Sequence, residues 1–285
     1  MITATRYRAT AEINRQTKLG SEIARAQIDI STGKRIQTAS DDPIAAARVA
    51  ELRRSQADQT VWQRNIDTGK ALASQVDTTM ANVEDMFNRV KELTLSGASE
   101  SVSPNDRQAV VAELQALRVT LSNFKTATTP TGQSLFPVDS ALEISVSGTL
   151  RLTATDKRAN VFDDVALTAG NGSLDSVIAA AAAAIAISDP AARRTAANAS
   201  LTDIDIASTH ATDVRSAQGV RAARLDSAAD AIVETSELLA EERSGLEDTD
   251  VAATVMRLNG KTLALQAAQA AFAKVNRNTL FDLLS

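Results

Sequence analysis

The chain has 285 residues, no cysteine, only 3% aromatic residues and a formal net charge of −5. Without cysteine there are no disulfides, thiol nucleophiles or cysteine-bound metals. A mildly acidic chain with no Lys/Arg block argues against nucleic acid as partner. The apolar content of 44% is largely alanine, which favours helix but buries little area, and this composition suits long thin bundles better than a thick core.

The start, Met1 to Arg8, lacks the apolar centre of a secretory signal peptide, so export, if it occurs, is expected without a cleaved signal. No run reaches the ~18 apolar residues of a membrane span, so no membrane insertion is expected. Residues 5–30 read as one amphipathic helix, with Ile2, Ala9, Ile13, Ile23 and Ile30 on heptad-compatible spacings. Gly33 is placed to end it in the left-handed conformation. After a polar loop, Asp42 as N-cap and Pro43 at the first helical position open a helix of roughly 50 residues, ~75 Å at 1.5 Å per residue. Within it Gly69 reads equally as close packing or as a bend, and lone Trp62 as bundle packing. Ser103-Pro104 starts another helix, ended by Thr129-Pro130.

The pattern then changes. Leu142, Ile144 and Val146, followed by Leu150, Leu152 and Ala154, alternate around Ser147-Gly148 and predict a β-hairpin. Val161-Phe162 and Val165 to Leu167 add a strand, closed by Gly170-Asn171-Gly172. Helix returns in the alanine run 179–184, and after Asp189-Pro190 a long helix runs to Arg243, where Ser244-Gly245 breaks it. Asp248 or Asp250 caps a last helix carrying Val251, Val255, Leu258, Leu265 and Phe272 at heptad spacing, with Leu280 and Phe281 near its end.

The expected fold is mainly α. Both chain halves contribute to a long antiparallel helical bundle or coiled coil, interrupted by a small β-rich outer domain. The segments are 1–42 (assembly helix and loop), 43–129 (first half of the bundle), 130–172 (insert), 173–245 (second half) and 246–285 (assembly helix). Apolar stripes at both ends can bury their faces only against each other or against neighbouring molecules. Gln16, Gly20, Thr262 and Gln269 interrupt those stripes, which favours intermolecular use.

Catalysis finds no support. His210 is the only histidine, and no nucleophile–base set is visible. No metal site or cofactor is expected. Asp41-Asp42 reads as helix capping, with Asp41 at the positive helix end, rather than as an ion pair for a divalent cation. Glu241-Glu242 and Glu247-Asp248-Asp250 read as a solvated acidic face, with a contact to Lys34-Arg35 of another subunit as the lesser alternative.

Three segments carry a resemblance. Ser31 to Ile36 with Ala39 to Ala47, Arg89 to Leu93, and Leu246 to Ala252 are together similar to the signatures of the bacterial flagellin family. The tail, Arg257 to Asn259, Leu263 to Ala268 and Val275 to Leu284, resembles the hook–filament junction branch of that family more than its filament-forming flagellins. The start Met1-Ile2-Thr3 and the alanine run depart from it. The resemblance implies a non-enzymatic part of the extracellular flagellum, exported unfolded and folded by assembly into a ring or tube layer of its own copies. It further implies contacts to the neighbouring hook-associated protein and to flagellin, and an export chaperone on the C-terminal helix. A filament-forming flagellin is the alternative.

Overall fold

A computed structural model of the chain describes the backbone of residues 2–129 and 132–281, and the side chains of residues 7–129 and 132–274. The fold is mainly α, with six α-helices among the described residues: α1 (Ile2–Thr32), α2 (Pro43–Ala98), α3 (Pro104–Lys125), α4 (Leu174–Ala186), α5 (Pro190–Glu247) and α6 (Val251–Phe281). Two short antiparallel strand pairs complete it, β1 (Leu142–Ser145) with β2 (Arg151–Thr155) and β3 (Val165–Leu167) with β4 (Gly170–Gly172). The chain divides into a terminal unit, Met1–Ala57 with Ser236–Ser285, and a central unit, Asp58–Thr235.

Local capping sets most helix ends. Gly33, at φ 69°, ends α1. Asp42 Oδ1 accepts from the Ala45 N–H at 3.1 Å, and Pro43 opens α2. Ser103 caps α3 through the Asp106 N–H, Ser173 and Ser176 form a reciprocal capping box on α4, and Asp250 caps α6 through the Ala253 N–H. Gly245 does not break α5, which continues to Glu247. An interior glycine costs only ~1 kcal/mol; the helix stops where the Glu247 carbonyl accepts the Arg35 N–H. α3 stops at Lys125, ahead of Thr129, and Pro130 lies outside the described residues.

In the central unit α2 and α5 run antiparallel, as the ion pairs Lys70–Asp226, Arg215 with Asp77 and Glu84, and Lys91–Asp205 require. Their shared core takes in Val76, Met80, Phe87 and Val90 of α2 and Ile204 and Leu225 of α5, joined by Leu114 and Leu121 of α3. The alanine run lies in α4, which packs on α3; Ala181, Ala182 and Ala184 are buried there, small side chains being what lets helices approach closely. Arg118 grips Asp175 with two hydrogen bonds across the α3–α4 contact.

The β1–β2 hairpin sits against both long helices. The Asn65 amide of α2 donates to the Ser145 carbonyl, and the Gln218 amide of α5 to the Ala154 carbonyl. A Cβ added at Gly69 would overlap Ile144 Cδ1 of β1 and lie 3.3 Å from Leu225, so this glycine serves close packing. Trp62 is half-buried against the same core. Val161 and Phe162 form no strand. They occupy a π-helical turn, Ala159–Asp163, in which both are buried. Adjacent residues of a strand point to opposite faces, so two buried neighbours favour the turn, and Phe162 packs edge-to-face on Phe136 at 4.9 Å. β3 instead pairs with the Gly170–Gly172 segment, turned at Gly170 with φ 117°. His210 is half-buried, its Nε2 3.2 Å from the Val161 carbonyl.

Candidate assembly surface on the terminal helices

Within the terminal unit α1 and α6 pair with each other. The pairing is antiparallel: the Thr249 N–H reaches the Gly33 carbonyl at one end, and Lys261 meets Glu22 at 2.8 Å further along. On α1 the half-buried and buried positions Ala9, Gln16, Leu19, Ile23, Ala26 and Ile30 follow heptad spacing; on α6 Thr254, Leu258, Lys261, Leu265, Ala268 and Phe272 do so. Five of the residues expected at subunit contacts, Ile23, Ile30, Leu258, Leu265 and Phe272, therefore lie on the seam between the chain's own two ends. Ile13, Val251 and Val255 are exposed. The side chains of Ile2, Leu280 and Phe281 lie outside the described residues.

α6 carries a second apolar face. Ala252, Met256, Gly260, Leu263, Ala267 and Ala270 recur at steps of three and four and are all exposed, Met256 at 70% and Leu263 at 67%. A helix apolar on opposite sides is one to be covered on both. The heptad reading followed only one register and missed this face. The signal was in the sequence: these six positions keep steps of three and four, apart from the polar row Asn259, Thr262, Gln266 and Gln269.

A joint holds the bases of the two helices. Residues Gly33 to Arg35 and Leu246 to Thr249 form a backbone bridge, with Arg35 also donating from its side chain to the Leu246 carbonyl. At its centre the Glu247 side chain, 6% exposed, receives Lys34 and Arg53, each at 2.5 Å, with Arg243 at 3.9 Å. The acidic contact to Lys34 and Arg35 is thus made inside one chain rather than between subunits. Burial favours the neutral form of Glu247, but Lys34 and Arg53 outweigh it and hold the carboxyl below its ordinary value. Asp41 does not sit at the start of α2; it binds Arg25 at 2.6 Å and accepts the Gln37 and Thr38 N–H groups. Arg25 first, then those amides, hold its carboxyl far below the usual range. A loop otherwise free of regular structure is thereby fixed.

Among the described residues no group of three His, Asp or Glu side chains is placed to hold a metal, and no helix is long and apolar enough to cross a membrane.

Both helical ends of the chain have counterparts in sequence. Residues 4–141 match the bacterial flagellin N-terminal helical region, and residues 201–284 the bacterial flagellin C-terminal helical region. The chain belongs to the bacterial flagellin family, and its role is a structural one in the flagellum. It is 24% identical over 268 residues to the flagellar filament 30.7 kDa core protein of Treponema maltophilum, covering 92% of both chains. It is 27% identical over 107 residues to the flagellar hook-associated protein 3 of Salmonella typhimurium, covering 38% of this chain and 34% of that one. The crystal structure of hook-associated protein 3 from Legionella pneumophila superposes with a TM-score of 0.63 at 15% identity, over 70% of this chain and 98% of that one, a likeness of fold.

Proposed function

We propose that this protein is an adaptor at the junction of the flagellar hook and filament, exported unfolded and folded in place. The tail segments that resemble the junction branch support this, as does the likeness to proteins named as hook-associated. The observation that carries the reading is the second apolar face of α6: a helix already paired with α1 keeps a row of large and small apolar groups open. In the assembled ring or tube layer that face, with Ile2, Ile13, Val251, Val255, Leu280 and Phe281, meets neighbouring copies. Ile23, Ile30, Leu258, Leu265 and Phe272 hold the pair that presents it. Segments 1–42 and 246–285 are the assembly parts, 43–129 and 173–245 the bundle, and 130–172 the outer insert. Its partners are the adjacent hook-associated protein, flagellin and an export chaperone at the C-terminal helix; it needs no cofactor and catalyses nothing. Deleting the gene and inspecting the cells tests this. Hooks without filaments, with flagellin lost to the medium, are expected; normal filaments on the deleted strain would contradict it.

A filament-forming flagellin is the second reading, favoured by the likeness to a filament core protein over 92% of both chains. Purified protein seeded with filament fragments separates the two, since growth of long filaments from this chain alone supports the second.

A further inference from the structure

The charge of the terminal unit is unevenly distributed. From Val251 to Phe281, α6 carries Arg257, Lys261, Lys274 and Arg277 and not one acidic residue. The last turns of α5, from Ser236 to Glu247, carry Glu237, Glu241, Glu242 and Glu247 against the single base Arg243. Glu247 is taken by Lys34 and Arg53, and Glu242 by Arg48. Glu237 and Glu241 remain exposed on one side of α5, and beside them Leu238 is 61% exposed.

We infer that the open face of α6 docks on this acidic end of α5 in a second copy of the chain. The inference rests on the flagellar reading and names the partner surface of its assembly face. Met256 and Leu263 supply apolar groups that Leu238 can cover. Gly260 between them, with Ala252, Ala267 and Ala270 to either side, keeps the face flat enough for a helix to approach closely. Arg257, exposed on α6 beside Met256, then meets Glu237 and Glu241, which lie one turn apart on α5, while no acid on α6 opposes them. Such charges at the rim of an apolar contact fix partner and register more than they add affinity. Both surfaces are open on the same copy, so the contact joins unlike patches. A contact of that kind runs head to tail and closes into a ring or continues as a helical layer, which an isologous dimer cannot do.

The absence of cysteine makes this directly testable. Flagella are isolated from cells producing the Leu238→Cys/Leu263→Cys chain, or either single variant, and treated with a short bis-maleimide. The double variant should give a ladder of cross-linked multimers, while each single variant stays monomeric. Adding Glu237→Lys and Glu241→Lys to the double variant should remove the ladder without changing its circular-dichroism melt. Dimers from Leu263→Cys alone would show like faces meeting and overturn the inference. So would a ladder that survives the charge reversal, or monomer only, with the chain present in the flagella. Absence of the chain from the flagella would count against the flagellar reading itself, and against this contact with it.

Discussion

At Gly69 a single hydrogen atom decides how the hairpin sits. Alanine there would gain ~1 kcal/mol of helix propensity, but its methyl would overlap Ile144 and crowd Leu225. Overpacking costs about 1–3 kcal/mol, so Gly69→Ala should lower the melting temperature; a rise would mean the hairpin does not dock at that point. Asp42→Ala removes the acceptor of the Ala45 N–H and should cost about 1 kcal/mol, read as a lower melting temperature with assembly retained. Glu247 gives a pH dependence of known sign. Its folded carboxyl titrates below the ordinary value of 4.5, so the unfolded chain takes up the proton first. The stability it contributes is complete above that pH and is lost as pH falls through the lower folded value. Glu247→Gln should flatten the acid arm of the stability profile; an acid arm identical to that of the parent chain would show that the cluster adds nothing. Caps were legible in the sequence because Asp-Pro, Ser-Pro and Gly signals act within one turn. The partners of Asp41 were not, because Arg25 and the Gln37 and Thr38 amides meet it only once the loop has folded back on α1; the pairing of the Glu247 patch with Lys34 was, but not that it closes within one chain, the two residues being 213 apart.

Among elements, the long helices were readable because their apolar period and their caps agree. The π-helical turn at Ala159–Asp163 was not, since two large apolar neighbours read as strand until Phe136 is known to lie against them. In α6 the heptad register found the seam with α1 but concealed the opposite face. The two faces predict opposite behaviour. Leu265→Asp replaces an apolar group of the α1–α6 seam by a half-buried charge, which weakens the pair. Its circular-dichroism melt should lose an early transition. Leu263→Asp lies on the open face and should leave the melt unchanged while stopping assembly, so that cells carrying it are non-motile. If Leu263→Asp cells swim, the second face is not a contact.

For the molecule as a whole, the central unit owns its core, since every member of the main buried cluster lies between Ile66 and Ile232. Removing residues 1–32 and 251–285 should therefore leave the main thermal transition of the central unit within a few degrees of its value in the full chain. A large fall would mean that the ends support that core. Such a division of labour, a self-sufficient centre with ends that carry open apolar surface, suits a protein that folds where its neighbours are. It also accounts for the small share of aromatics, because long helical pairs fill their seams with alanine, leucine, isoleucine and valine.

The claim on which the account turns is place: a short layer between hook and filament, against a coat along the filament's length. Gold-labelled antibody to the central unit, applied to intact flagella and viewed by electron microscopy, reads this directly. The junction reading predicts gold confined to a narrow band where the hook ends. Gold spread along the whole filament would contradict it and make the chain a filament subunit.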